Sequence, residues 1–469
     1  MVVIAVVILS NSTFSLPASE NWPQWRGPAS DGSANNSAPP VEWSENKNIK
    51  WKKEIPGVGH SSPIIWENKI FIMTAKSEPI EERSSIPGLR SQKGTDPARQ
   101  IGTDRQGENR NPTRGDNRRS GGRGFRDRGG FGPTVPTTNY NFITMCLSKD
   151  SGEVLWQKTS TSQKPTGGKH RTNSYSSGSP VTDGEVVVAN FSSYGVFCYD
   201  LDGNLKWSKD LGDMRTRNGF GEGSSAALYK NLVYILWDTE DESFLYALDK
   251  ESGDIKWKKT RDEATGWTTP VVITHKETPQ VIINGTNKVR SYHALSGDII
   301  WECGGQTTNA IPSIVADDAT VYAMSGYRGN TAMAIELGGK GDITGSQKIA
   351  WKLNRGTPYV PSPLLYKGLL YFCKGNNGFF SCVETFSGKV FYAEERLPEI
   401  SGVYSSPVAA NNHIYLSGQN GNTAVIKAGK ELEVVNVNTL KDSFNASPAI
   451  SGNSLFLRGA KFLYRISND

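Results

Sequence analysis

Eight times along its 469 residues this chain sets a pair of small residues, usually a proline, and then a short apolar run. The tripeptides are Ser61-Ser62-Pro63, Gly178-Ser179-Pro180, Ser224-Ser225-Ala226, Thr268-Thr269-Pro270, Ala310-Ile311-Pro312, Pro361-Ser362-Pro363, Ser405-Ser406-Pro407 and Ala446-Ser447-Pro448. Their third positions are spaced by 117, 46, 44, 42, 51, 44 and 41 residues. All but the first spacing match the ~40–50 residues of one four-stranded propeller blade. The first spacing carries an insertion.

A β-branched or aromatic run follows each anchor, as at Lys69–Ala75, Leu232–Trp237, Leu369–Cys373 and His413–Ser417, and reads as a strand. Further on, Ser151-Gly152, Asp202-Gly203, Ser252-Gly253, Ser296-Gly297 and Ser387-Gly388 supply the positive φ of a tight turn. Trp156, Trp207, Trp257, Trp301, Trp351 or Tyr392 then closes the unit. Long helical periodicity is absent, so the fold class is all-β. The eighth anchor leaves only 21 residues (469 minus 448), enough for about two strands, whereas Ile49-Lys50-Trp51-Lys52 has the look of a blade's last strand. The expected fold is an eight-bladed β-propeller of four-stranded antiparallel blades, its last blade closed by the N-terminal strand. Trp51, Trp156, Trp207, Trp257, Trp301 and Trp351 then wedge between blades. Burying one indole removes roughly 150–250 Å² from water, about 4–6 kcal/mol before entropy is counted. They read as packing, not chemistry.

Net charge is +5, and between Ser77 and Phe131 eleven Arg and one Lys face eight Asp and Glu, a surplus of four. Residues 77–136 are expected to form a disordered Arg/Gly-rich loop inserted in the first blade. The stretch from Arg114 to Arg126 has the composition of tails that bind single-stranded RNA. Acids interrupt it, however, and only Phe125 and Phe131 supply aromatics, so no nucleic acid is expected as a partner. Residues 1–18 read as a signal peptide: the run Val2–Leu9 is too short to span a bilayer, and small polar residues with a cleavage site after Ser15 follow it. No Lys or Arg precedes that run. Residues 19–48 are an N-terminal extension and 49–469 the propeller, with no transmembrane segment. A periplasmic or secreted monomer is expected, and the lack of Cys before Cys146 speaks against a lipid anchor.

Five Cys are too few and too odd for a disulfide framework. Asn377-Gly378 reads as a two-residue hairpin turn, and counting outward sets Cys373 opposite Cys382 as a non-hydrogen-bonded pair near bridging distance. The pair is either a cross-strand disulfide or two small buried hydrophobes. His60, His170, His275, His293 and His413 show no ligand spacing, and no Cys-x-x-Cys, nucleophile elbow or phosphate loop occurs. No catalytic residue and no metal site is expected. In a propeller, residues just before each innermost strand gather around the channel mouth. Here they are His60, Tyr175, Phe220, Trp267, Asn309, Tyr359, Tyr404 and Phe444, with Arg171, Arg215 and Arg217 nearby. Six of the eight are aromatic against 10% of the chain, so this rim either binds a flat, anionic or sugar-like ligand or a peptide, or simply plugs a wide channel.

The run Ala247-Leu248-Asp249-Lys250-Glu251-Ser252-Gly253-Asp254-Ile255-Lys256-Trp257 resembles the tryptophan-docking repeat of pyrroloquinoline-quinone (PQQ) dehydrogenases, with looser copies ending at Trp156, Trp207 and Trp301. The opening Asn21-Trp22-Pro23-Gln24-Trp25-Arg26-Gly27-Pro28 is similar to that of exported PQQ-like propeller proteins of planctomycete-type bacteria. The resemblance implies an eight-bladed PQQ-like propeller serving one of two classes. In the dehydrogenases it implies a quinone stacked between a Trp and two adjacent Cys, with calcium held by Glu, Asn and Asp. Trp267 could form such a floor, but no Cys-Cys dipeptide exists. The other class is the propeller subunit of the outer-membrane β-barrel assembly machine, a non-catalytic scaffold. The expected function is therefore an exported binding or scaffold protein with no cofactor, taking a protein partner or small ligand at the propeller face. The alternative is a quinoprotein oxidoreductase using PQQ with calcium on alcohols or sugars.

Overall fold

The computed structural model describes residues 20–78 and 134–468. The expected signal peptide through residue 18 and the Arg/Gly-rich stretch of the insertion lie outside the described residues. Eight antiparallel sheets, each a blade, follow one another around a ring. Their innermost strands are Ile64–Trp66, Val181–Thr182, Ala227–Tyr229, Val271–His275, Val315–Ala316, Leu364–Tyr366, Val408–Ala410 and Ala449–Ser451. In seven blades the four strands run outward in chain order, and blade 4 adds a short parallel fifth strand, Gly341–Asp342. Blade 8 instead takes its outermost strand, Ile49–Glu54, from the front of the chain. That strand pairs with Phe462–Ser467, setting Trp51 opposite Arg465 with its ring 6.3 Å from Phe456. In blade 1, Lys69–Ser77 and Tyr140–Ser148 pair over nine residues on either side of the inserted segment.

A closed circuit of hydrogen bonds explains the small-residue anchors. The backbone N–H of one anchor residue donates to the hydroxyl of the next blade's: Ser62 to Ser179, Ser179 to Ser225, Ser225 to Thr269, and Thr269 to Ser313. It continues from Ser313 to Ser362, Ser362 to Ser406, Ser406 to Ser447, and Ser447 back to Ser62, every bond between 2.8 and 3.2 Å. A serine or threonine is needed because its side chain is short enough to accept beside its own strand, leaving no inner N–H of the ring unpaired. The circuit corrects the fifth anchor: its hydroxyl is Ser313, two residues beyond Ile311, which evens the neighbouring separations to 44 and 49.

The fourth strand of every blade joins the third through a β-bulge, for example between Ala247 and Leu248 or Cys198 and Tyr199. The extra residue turns the following side chain toward the next blade. Five indoles use that position to donate to a carbonyl in the neighbouring turn: Trp51 to Lys149, Trp156 to Leu201, Trp207 to Lys250, Trp257 to Ala294 and Trp351 to Thr385, at 2.7–3.2 Å. Trp301 is fully buried but its Nε1 has no partner among the described residues, because the next blade carries its insertion there. Blade 7 has Asn436 in place of an aromatic. Its Nδ2 donates to Val41 of the N-terminal segment, whose Trp43 stacks on Tyr415 and fills the gap. The apolar core thus lies between blades, as where blades 6 and 7 enclose Tyr371, Phe380, Ile414 and Leu416.

The expected register that sets Cys373 opposite Cys382 is overturned. Cys373 faces Phe380 and Cys382 faces Tyr371, and all five cysteines are free and buried. The turn spans four residues, 375–378: Gly375 takes the positive φ of 56°, and Asn377 donates back to Lys374. Asn377-Gly378 therefore does not make the two-residue turn, and a slip of two residues leaves the two thiols on a diagonal too long to bridge.

The extension before the closing strand is a strap across the ring. Trp22 pairs with Ile65 of blade 1, and Pro23 accepts from Thr182 of blade 2. On the far side Leu365 donates to Asp31, and Ala409 exchanges bonds with Gly32 and Ala34. Arg26 is buried between them, donating 2.7 Å bonds to the carbonyls of Pro407 and Pro363. Burial pulls its pKa down to about 10. The strap pairs with the inward edges that innermost strands would otherwise leave open.

Candidate functional site

Two residues before each circuit hydroxyl the chain turns inward, and there the side chains of His60, Ser177, Trp267, Ile311, Val360, Tyr404 and Asn445, with Gly223, surround one cavity of about 370 Å³. Trp25 lines it from the strap, donating from Nε1 to Ser447 Oγ at 3.2 Å. Because the strap bonds one step further along the innermost strands than the hydroxyl circuit, it forms the cavity's floor. Phe220, His170, Tyr327, Tyr359, Asn173 and Asn376 complete the wall.

The wall is polar, aromatic and rigidly held. Trp267 donates from Nε1 to the Gly221 carbonyl at 2.7 Å, fixing its indole. Tyr327 and Tyr359 stack at 4.8 Å, and His170 stands edge-on to Phe220 at 5.1 Å. Asn376 accepts from the Val360 N–H at 3.0 Å, while Asn173 accepts from Ser177 at 2.6 Å and donates to the Phe220 and Glu222 carbonyls. Asn445 Nδ2 lies 3.0 Å from His60 Nε2. Burial, aided by Arg458 and Lys169, pulls His60 down to about 4, so its imidazole is neutral near pH 7 and accepts there. Among the described lining residues there is no Asp, Glu, Lys or Arg. No group of three His, Cys, Asp or Glu among the described residues could hold a metal ion.

Of the eleven residues singled out from sequence, the structure brings His60, Phe220, Trp267, Tyr359 and Tyr404 together around this cavity. Tyr175 turns away, packing edge-on to Tyr140 and Tyr194 and donating to the Gly167 carbonyl. Asn309 is buried in a left-handed conformation with φ 58°, and Phe444 is buried against Tyr464. Arg171 is exposed, Arg215 pairs with Asp241 at 2.6 Å on the surface, and Arg217 sits in a 3-10 turn held through its backbone by Thr265. None of these six lines the cavity. Taking residues just before each innermost strand mixes positions two to five before the circuit hydroxyl, and of these only the second lines the cavity in all eight blades. Counting by that offset finds Ser177 and Asn445. Trp25 and Tyr327 carry no repeat signal and come only from the strap and an inter-strand loop.

The family model described as Outer membrane protein assembly factor BamB (PQQ_2) matches residues 145–430. Among solved structures, the crystal structure of BamB from Moraxella catarrhalis matches with a TM-score of 0.52 at 13% identity, covering 70% of this chain and 89% of that one. That likeness is one of fold. No curated protein matches the sequence. With eight bladed sheets and a family match over more than half its length, the chain belongs to the PQQ-repeat propeller family of outer membrane protein assembly factor BamB.

Proposed function

We propose that this chain is a non-catalytic, exported propeller that binds or scaffolds a protein partner at the bacterial envelope. The observation that carries this reading is the uncharged wall of the axial cavity. A calcium-bound quinone of the kind the dehydrogenase resemblance implies would need carboxylate ligands and a pair of adjacent cysteines. The described lining residues offer asparagines but no carboxylate, and the buried cysteines are dispersed through the blades. The donor set does not fit that group. Membership of a family described by outer membrane protein assembly supports a protein-binding role. The export leader expected from residues 1–18 supports a location in the periplasm or outside the cell.

The test is direct. Purified protein incubated with PQQ and calcium, then passed through a desalting column, is expected to retain no quinone absorbance and to show no dye-linked oxidation of alcohols or sugars. Retention together with turnover would replace this reading with a quinoprotein oxidoreductase. Affinity purification from envelope fractions is expected to recover a protein partner in stoichiometric amount, and recovery of the bare monomer alone would count against scaffolding.

A further inference from the structure

We infer that the axial cavity is a binding site for a neutral pyranose ring, either a free sugar or the terminal residue of a glycan; this rests on the non-catalytic reading above. Three observations combine. The cavity is closed at one end by the strap and measures about 370 Å³, room for one ring rather than for an extended peptide. Its described wall carries no charge, so a carboxylated or phosphorylated ligand would be desolvated there without a counter-ion. Amide and imidazole groups stand together at Asn445 and His60 on adjacent blades and again across the ring at Asn376, which the aromatic side chains of Trp267 and Tyr404 flank in ring order.

That combination suits a pyranose. Its equatorial hydroxyls need donors and acceptors on more than one side. Its C–H faces are apolar and pack flat on indole or phenol rings. Trp267 is pinned by its bond to Gly221, and Asn445 with neutral His60 forms a fixed polar pair, so little ordering entropy is lost on binding. A site built to hydrogen-bond hydroxyls discriminates strongly against analogues that lack them.

Saturation-transfer NMR and tryptophan fluorescence on the whole protein test this with methyl β-glucopyranoside, methyl β-galactopyranoside, methyl α-mannopyranoside and N-acetylglucosamine, against glucuronate and cyclohexanol. Binding of at least one neutral glycoside, with no response to the last two, is the expected result. Trp267→Ala and Tyr404→Ala are each expected to weaken it about tenfold, equivalent to about 1.4 kcal/mol, while Trp257→Phe, remote from the cavity, leaves it unchanged. A trisaccharide of the same sugar binding at least tenfold tighter identifies a glycan end, and equal affinity identifies the free sugar. If no neutral glycoside binds and no quinone is retained, this inference falls and the scaffold reading stands. Equal binding by folded wild type and Trp267→Ala also overturns it. Oxidation of a bound glycoside by quinone-loaded protein overturns the non-catalytic reading, and this inference with it.

Discussion

The backbone N–H of Ser447 donates to the hydroxyl of Ser62 at 2.9 Å, across 385 residues of sequence. It is the bond at which the circuit of eight closes, and it lies in the layer directly above the strap. Blade 8 is held to blade 1 there, while its own outer strand comes from residues 49–54. Ring closure therefore draws on the front of the chain through the hydrogen-bonded outer strand 49–54 as well as through the hydroxyl of Ser62.

Ser62→Ala removes the acceptor but leaves the Ser447 N–H buried and unpaired, so a loss of about 1–3 kcal/mol is expected. Ser62→Thr keeps the hydroxyl and should cost much less. Urea denaturation midpoints of the two variants decide it. Equal midpoints for wild type and Ser62→Ala would show that the circuit is a by-product of packing.

Arg26→Met should destabilise the ring more. The guanidinium serves the carbonyls of Pro363 and Pro407, on neighbouring blades, and methionine leaves both buried without a donor. A loss of about 2–5 kcal/mol is expected. The same substitution should loosen Trp25, read as a red shift in tryptophan emission before global unfolding.

The fold was legible because the repeat is carried by chemistry at its tightest points. A hydroxyl that must accept from the neighbouring blade, a glycine that must take positive φ and an indole that must reach across a gap all leave a periodic trace, so eight blades and the borrowed strand could be read from spacing. The cavity was only half legible. Trp267 and Tyr404 stand at the position that lines it in every blade, whereas Asn309 and Phe444 were drawn in by proximity to an anchor and are buried elsewhere. The cysteine pairing failed for a local reason: Asn377-Gly378 carries a two-residue turn signal, yet Gly375 takes the left-handed conformation and widens the turn. Trp25 was invisible because a strap belongs to no repeat.

Gly203 tests the indole contact. Its φ is 84°, and a Cβ there would lie 2.6 Å from Trp156. Gly203→Ala combines backbone strain with a clash against an indole already tied to Leu201, and a loss of about 2–4 kcal/mol is expected. Gly212 has a φ of 101° but open space around its Cβ position, so Gly212→Ala should cost only about 1 kcal/mol. Similar melting temperatures for the two variants would mean that the turn's backbone, not the indole, sets the requirement.

Glu222, behind the cavity wall, gives the protein a pH dependence that can be isolated. Its half-buried carboxyl faces the N–H and hydroxyl of Ser193, whose Oγ also accepts from the Met214 N–H. Desolvation raises its pKa from the ordinary 4.5 to about 7, with nearby Asp213 adding to the rise. A carboxyl whose folded pKa lies above its unfolded one binds its proton more tightly in the native state. Its contribution is therefore complete below pH 4.5 and is lost as pH rises through 7. The difference amounts to about 3 kcal/mol between those limits. His60 works in the opposite sense, since its pKa near 4 makes the fold lose stability as pH falls from 6.5 toward 4. Glu222→Gln keeps the shape and cannot ionise, so its stability should no longer decline between pH 5 and 8, while the loss at acid pH from His60 persists. Stability of wild type and variant, measured by urea unfolding across that range, should converge near pH 5 and separate in the variant's favour by pH 8. Parallel curves would mean that Glu222 ionises in the folded protein at its ordinary pKa.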